Sequence, residues 1–359
     1  MTEQSAASGR AAGRAGYAAA GVDIAEGERA VQLMRASMAM GGRPEVVGDL
    51  GGFAGLFRGD ALKAMARPIL ATTTDGVGTK VAIAQMLDQH DTIGLDLVGM
   101  VVDDLVVCGA EPLFMTDYIA CGRLVAERIA AIVHGIAVAC QVAGCALVGG
   151  ETAEHPGLLG VDEYDLAGAA TGVVDEPYLL GPARVRHGDV VIAMASSGLH
   201  SNGYSLVRQV LLDAGGWSLD RPVAELGRTL GEELIEPTRI YAKDCLSLAA
   251  AVDLHALAHV TGGGLAANVA RVLPANLDAV LDRSTWSPQP IFGLVGEVGG
   301  VERPELERTF NMGVGMVAIT APGDADHARR LLEDRGLIVW MAGEVVHGDG
   351  RARLIGRYA

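Results

Sequence analysis

Between Pro68 and Asp175 strand-like and helix-like segments alternate, and this rhythm constrains the fold more than any other feature of the chain. "PILATT" reads as a strand. "TIGLDLVGMVVDDLVV" reads as a helix closed by Gly109 with Pro112 beyond, and "LFMTDYIA" as a strand. A helix from Val125 to Val142 and the strands "CALVGG" and "YDLAGAATGVV" complete the block, ending near Asp175. The stretch "DEPYLLGPARVRHGDV" then turns to proline, glycine and charge, and a second strand, loop and helix series opens at "VVIAMASSGLHSNGYSLVRQVLL". The fold class expected is α/β with mixed sheets in two domains, residues 17–175 and 183–359, after a flexible lead-in over residues 1–16. No short internal repeat is visible.

Composition narrows what such domains can do. With 50% apolar residues, only 4% aromatics and 49 glycines, the cores are built from Ala, Val, Leu and Ile around tight turns. A formal charge of −16 repels nucleic acid and anionic lipid, so neither nucleic acid nor a membrane is an expected partner. The five cysteines (108, 121, 140, 145, 245) lack CxxC spacing and read as reduced core residues of a cytoplasmic protein. The apolar run from Ala130 to Gly150 holds His134 and Gln141 and is broken by Gly144; it reads as a buried helix running into a strand.

"TTTDGVGTK", Thr72 to Lys80, ends the first strand with an acid, glycines, a hydroxyl and a lysine. It is not a Walker A loop, since GxxxxGK[ST] does not occur. The glycines and Thr79 can still offer N–H groups to phosphate, with Lys80 as a point charge and Asp75 free for a metal; a bare turn fits equally. The chain carries 25 arginines and three lysines, so a lysine within an acid-and-hydroxyl stretch stands out. In the next helix, Asp96 and Asp103 fall on one face two turns apart and Asp104 lies about 80° round. Three carboxylates in an apolar helix need a cation or donors, unless they form a solvated strip. Glu151 and Glu154 leave a strand at "GGETAEHPG". Asp75, Asp96, Asp104 and Glu151 thus form a candidate oxygen-only set, and the ion that suits it is Mg²⁺.

In the second block, "SSGLHSNGYS" places Ser197, His200, Ser201 and Asn202 before a helix, as an anion site or a simple cap. His200 is either a proton carrier or a hydrogen-bonded loop residue. "AHVTGGGL" repeats the pattern with Thr261 and Gly262, and its His259 reads as a core histidine.

Taken in order from Tyr17 to Met316, "YAAAGVDI", "GGFAGLF", "TDGVGTK", "GLDLVGMVVDDLVVCGAEPLF", "LVGGETAEHPG", "YDLAGAATGVV", "SSGLHSNGYS", "EPTRIYAK", "AHVTGGGL" and "FNMGVGM" resemble the phosphoribosylformylglycinamidine cyclo-ligase family, the aminoimidazole ribonucleotide (AIR) synthetases of purine biosynthesis. The resemblance implies an AIR-synthase-like fold whose N-terminal sheets pair across a homodimer. It also implies ATP-dependent ring closure of formylglycinamidine ribonucleotide, with the amide oxygen phosphorylated and displaced. By motif position, Asp75, Gly76, Gly78, Thr79 and Lys80 would bind ATP, and Asp75, Asp96, Asp104 and Glu151 would hold Mg²⁺. Ser197, His200, Ser201, Asn202, Thr261 and Gly262 would meet the ribonucleotide, with His200 and Lys80 catalytic. Three positions depart from the pattern: Ala18 for Lys, Asp103 for Asn and Leu199 for Pro. The alternatives are a paralogous ATP-dependent synthetase or kinase, of the selenophosphate synthetase or thiamine-monophosphate kinase type, and a non-catalytic ATP-binding scaffold. No Cys precedes Cys108 to serve selenophosphate chemistry.

Overall fold

A computed structural model describes residues 24–40, 42–48 and 52–359. The expectations for residues 1–16, the motif at Tyr17 and the departure at Ala18 lie outside the described residues.

The first unit is a four-stranded sheet carrying helices on one face. Its elements are α1 (Ile24–Met40), β1 (Pro68–Gly76), α2 (Val81–Leu87), α3 (Ile93–Val106), β2 (Glu111–Cys121), α4 (Ala126–Ala143), β3 (Ala146–Glu154) and β4 (Tyr164–Asp175). The strands lie in the order β1-β4-β2-β3, antiparallel except for the parallel β2–β3 pair. Helix, strand and helix therefore follow the sequence reading closely. α3 is a continuous apolar face of Leu97, Val98, Val101, Val102 and Leu105, all buried against the sheet. α3 and α4 cross with backbones in contact: a Cβ on Gly94 would lie 2.2 Å from the Ile136 nitrogen, and one on Gly135 would lie 2.0 Å from the Asp91 oxygen. Only glycine fits either position. α4 is the one helix among the described residues long and apolar enough to cross a membrane; it is mostly buried, packs on α1 and α3, and runs into β3 as expected. Among the described residues nothing covers the opposite face of the sheet, where Leu70, Thr72 and Thr74 of β1 and Thr116 and Tyr118 of β2 are exposed.

The second unit is a six-stranded sheet. In chain order its strands are β5 (Val190–Ala195), β6 (Leu254–His259), β7 (Leu277–Asp282), β8 (Val314–Thr320), β9 (Val339–His347) and β10 (Ala352–Ile355). They lie in the order β6-β8-β5-β9-β7-β10, antiparallel except for β7–β10. β8 is buried at every residue, as a central strand covered on both faces must be. Helix α5 (Tyr204–Val207) continues as a π-helical segment to Ala214, and α6 (Ala242–Ala251) packs against α3 of the first unit.

Candidate active site

The two units meet along α3, and its acids are the joint. Asp96 and Asp103 face the same way, as their spacing predicts, and both are fully buried. Asp96 draws its partners from both units, while its Oδ2 has none among the described residues. Its Oδ1 lies 2.7 Å from the Lys80 ammonium and accepts from Thr238 N–H (2.8 Å), Thr238 Oγ1 (2.7 Å) and Ser201 Oγ (3.1 Å). The cation that this buried acid requires is a lysine sixteen residues upstream. Lys80 is correspondingly not at a ligand surface: no part of its side chain is exposed, and its ammonium also donates to the Glu236 carbonyl. Burial pulls its pKa down, and Asp96 pulls it back up. Both carboxylate oxygens of Asp103 accept the Tyr241 N–H at the start of α6. Burial lifts its pKa to about 7, against the opposing charge of His259. The acid at this departure from the family pattern thus lies inside the joint rather than beside an ion.

One helical step on, Asp104 is one-third exposed and hydrogen bonds to His259 Nδ1 at 2.8 Å. Burial opposes charge on His259, yet the hydrogen bond from Asp104 and the charges of Asp103, Asp104 and Asp75 raise its pKa above the ordinary histidine value. Asp75, at the end of β1, is raised first by burial, then opposed by its bond from Gly76 N–H (2.7 Å), with Asp104's charge adding to the rise. His259 therefore belongs to the site and is no ordinary core histidine. The sequence signal was its place at a strand end two residues before Thr261, in the same strand-to-glycine setting as Asp75.

A cleft of about 510 Å³ opens between the units at Asp75. Asp75, Gly76, Gly78 and Met100 line one wall; Ser201, Asn202, Thr261 and Gly262 line the other; Asp165, which the sequence reading passed over, lies on the rim with Leu166. The buried amide of Asn268 secures the second wall by donating to the carbonyls of Thr261, Gly262 and Gly264. Two candidates lie elsewhere: Thr79 pairs through its hydroxyl with Ser205 (3.0 Å), and Ser197 donates to the Pro237 carbonyl (2.6 Å).

His200 lies buried in the loop before α5. It is 1% exposed, and its Nε2 accepts the Ser197 N–H at 3.2 Å. A neutral imidazole that accepts at Nε2 carries its proton on Nδ1. Burial, reinforced by His259, Lys80 and Arg239, holds its pKa well below the ordinary value. It closes the 197–200 turn through Nε2, and its buried Nδ1 has no partner among the described residues.

Glu151 is also separated. Asp75, Gly168, Asp117 and Gly150 form one row across β1, β4, β2 and β3. At about 4.8 Å per strand, Glu151 sits roughly 14 Å from Asp75. It borders a second cavity of about 470 Å³ between α1, α4 and β3, together with Phe53 and Asp117, whose pKa burial raises to about 7. Among the described residues no three His, Cys, Asp or Glu side chains form a metal cage. Of the expected four-acid set, Asp75 and Asp104 are close enough to influence each other, Asp96 is bonded to Lys80, and Glu151 lies on the far edge of the sheet. Two neighbouring carboxylates, one with its pKa raised in part by the other, fit an ion that takes one or two protein oxygens and fills its shell with water and phosphate.

The chain matches the model described as "AIR synthase related protein, N-terminal domain" over residues 59–174 and that described as "AIR synthase related protein, C-terminal domain" over residues 186–355. It is 53% identical over 333 residues to a phosphoribosylformylglycinamidine cyclo-ligase of Anaeromyxobacter sp. (strain K), covering 92% of this chain and 96% of that one. The cyclo-ligase of Brevibacillus brevis is 49% identical over 93% of this chain and 96% of its own. Among solved structures, thiamine-monophosphate kinase of Stenotrophomonas maltophilia K279a superposes with a TM-score of 0.66 at 20% identity over 92% of this chain and 97% of that one. A hydrogenase maturation protein HypE in complex with ATP gives 0.61 at 17% over 91% and 90%. Those two likenesses are of fold, whereas the family models and the half-identical relatives speak to descent: the chain belongs to the AIR synthase related family.

Proposed function

We propose that this chain is a phosphoribosylformylglycinamidine cyclo-ligase, an enzyme that uses ATP to close formylglycinamidine ribonucleotide into aminoimidazole ribonucleotide, releasing ADP and phosphate in the cytoplasm. The observation that carries the reading is the cleft itself, in which the glycine-flanked acid of one domain faces the hydroxyls and amide of the other. Phosphoryl transfer asks a protein for positioning and charge neutralisation, and a two-walled cleft supplies the positioning. Gly76 and Gly78 leave backbone open to a triphosphate, while Ser201, Asn202 and Thr261 offer polar groups to a ribonucleotide. Asp75 and Asp104 would hold Mg²⁺, which when bound neutralises phosphate oxygens. His259 orients Asp104 through Nδ1. ATP as co-substrate is supported by the fold shared with the ATP-bound maturation protein.

Among the described residues that line the cleft there is no Lys or Arg, so charge on the phosphates would be met by the ion, by backbone N–H groups or by residues beyond that lining. The uncovered face of the first sheet, with Leu70 and Tyr118 exposed, supports a homodimer built through that face. A coupled assay for ADP tests the function: ATP should be consumed only when formylglycinamidine ribonucleotide is added, with aminoimidazole ribonucleotide formed in equal amount. Basal hydrolysis, or transfer to another acceptor, would favour a paralogous kinase; binding without turnover would favour a scaffold.

A further inference from the structure

The motif "FNMGVGM" contributes no residue to the cleft, yet it contains one of the most heavily bonded side chains beside it. Asn311 is 2% exposed. Its Nδ2 donates to the Gly198 carbonyl at 2.9 Å, while its Oδ1 accepts the Gly313 N–H at 2.8 Å and the Ser196 hydroxyl at 3.2 Å. The Ser196 hydroxyl also donates to the same Gly198 carbonyl at 2.9 Å, and Ser196 N–H reaches the Gly313 carbonyl. One amide thus ties the turn at 311–313 to the start of the loop over residues 196–203. Both tied segments hold a side-chain-bearing residue in the left-handed region: Met312 at φ 49° and His200 at φ 60°. Such backbones persist only where the surroundings over-determine them. Met312 is fixed by its buried side chain and by Trp286 Nε1, which donates to its carbonyl. His200 is fixed by the 197–200 turn, whose second residue, Gly198, is the one that Asn311 grips.

The loop ends at Ser201 and Asn202, which line the cleft. We propose that Asn311 is a positioning residue for the ribonucleotide: it touches no ligand, and it sets the conformation of the 196–203 loop that presents Ser201 and Asn202. The inference rests on the cyclo-ligase reading for the identity of the ligand, and on the bonds above for the clamp.

Steady-state kinetics on Asn311→Ala, Asn311→Asp and Ser196→Ala test it. Asn311→Ala should raise KM for formylglycinamidine ribonucleotide at least tenfold and leave KM for ATP within about twofold. Asn311→Asp, equal in size, keeps the accepted bonds but sets an oxygen against the Gly198 carbonyl; it should follow the alanine variant, and it decides the matter if Asn311→Ala does not fold. Ser196→Ala keeps the Asn311–Gly198 bond and should shift the same KM by less than about threefold. Hydrogen exchange on the free enzyme gives a second readout, because loss of Asn311 should speed exchange of the amides over 196–203 but not of those in the β1–β4 sheet. Equal shifts in both KM values, no shift in either, or unchanged exchange in the loop would overturn the proposal. Failure of the parent enzyme to turn over the ribonucleotide would instead count against the cyclo-ligase reading, and the exchange experiment would still decide whether the clamp exists.

Discussion

Lys80 offers the sharpest contrast between what its motif implies and where its side chain lies, so Lys80→Met is the most informative substitution. The variant keeps an unbranched side chain one atom shorter and removes its charge. Asp96 then stays buried with three donors, from Thr238 N–H, Thr238 Oγ1 and Ser201 Oγ. Breaking a buried pair costs about 3–5 kcal/mol, and with three donors left the cost should fall near about 3 kcal/mol. Asp96→Asn is the harsher change, because it leaves a buried ammonium with the Glu236 carbonyl and the Tyr204 ring face at 5.6 Å, near about 5 kcal/mol. The double variant removes both charges and keeps an acceptor for Thr238, so it should cost at least about 3 kcal/mol less than the two single changes added together. Urea unfolding followed by circular dichroism gives the three stabilities, and titration calorimetry gives ATP affinity for each folded variant. If the lysine meets the triphosphate directly, Lys80→Met will instead keep its stability and lose ATP affinity tenfold or more. That result, or strictly additive stabilities, would refute the assignment of Lys80 to the domain joint.

Two further outcomes follow from the acids of α3. Burial raises Asp103 from 3.8 to about 7, so the folded state keeps this proton where the unfolded chain has released it; the stability it contributes is full below about pH 4 and lost as pH rises toward 7. At about 1.4 kcal/mol per pH unit the loss approaches about 4 kcal/mol, so Asp103→Asn should exceed the parent's thermal midpoint at pH 8 and converge with it near pH 4; parallel curves would contradict the buried, proton-holding acid. Asp104→Asn should fold normally, its side chain being 35% exposed, and should bind ATP with little response to Mg²⁺; calorimetry at varied Mg²⁺ showing the parent's dependence would remove Asp104 from the ion site.

Much of this was legible in the chain because it depends on local periodicity. The 3.6-residue repeat placed Asp96 and Asp103 on one buried face, and the alternation from Pro68 gave β1, α3, β2, α4, β3 and β4 their type and order. Partnership was less legible. Asp96 finds Thr238 across 142 residues of sequence, and no composition or spacing announces that pairing. The distance between Glu151 and Asp75 was hidden for a related reason: the sheet order β1-β4-β2-β3 is not the chain order and, within one chain, puts the two on opposite edges, with Glu151 inside β3. His200 draws notice because histidine titrates near neutrality; its burial, which pushes its pKa down, and its bond from the Ser197 N–H are tertiary facts that no spacing announces.

The position of α3 bears on how the cleft can move. One face of the helix contributes Asp96 and Asp103 to the joint, where they bind the segment from Thr238 to Tyr241. The neighbouring strip contributes Met100 to the cleft lining and Asp104 to the bond with His259. Ser201 bridges the two roles, donating to Asp96 while lining the cleft. Opening the cleft by rotating one domain about α3 would therefore break bonds to buried carboxylates, at a cost of several kcal/mol, before either wall moved freely. Access for a nucleotide or a ribonucleotide must come from elements outside that joint. The glycine-bearing segment at 76–78 meets this condition, since it does not bond to Asp96 or Asp103, whereas 261–264 is held by Asn268. Loop motion, rather than domain rotation, is the mode of ligand entry that the buried charges leave open.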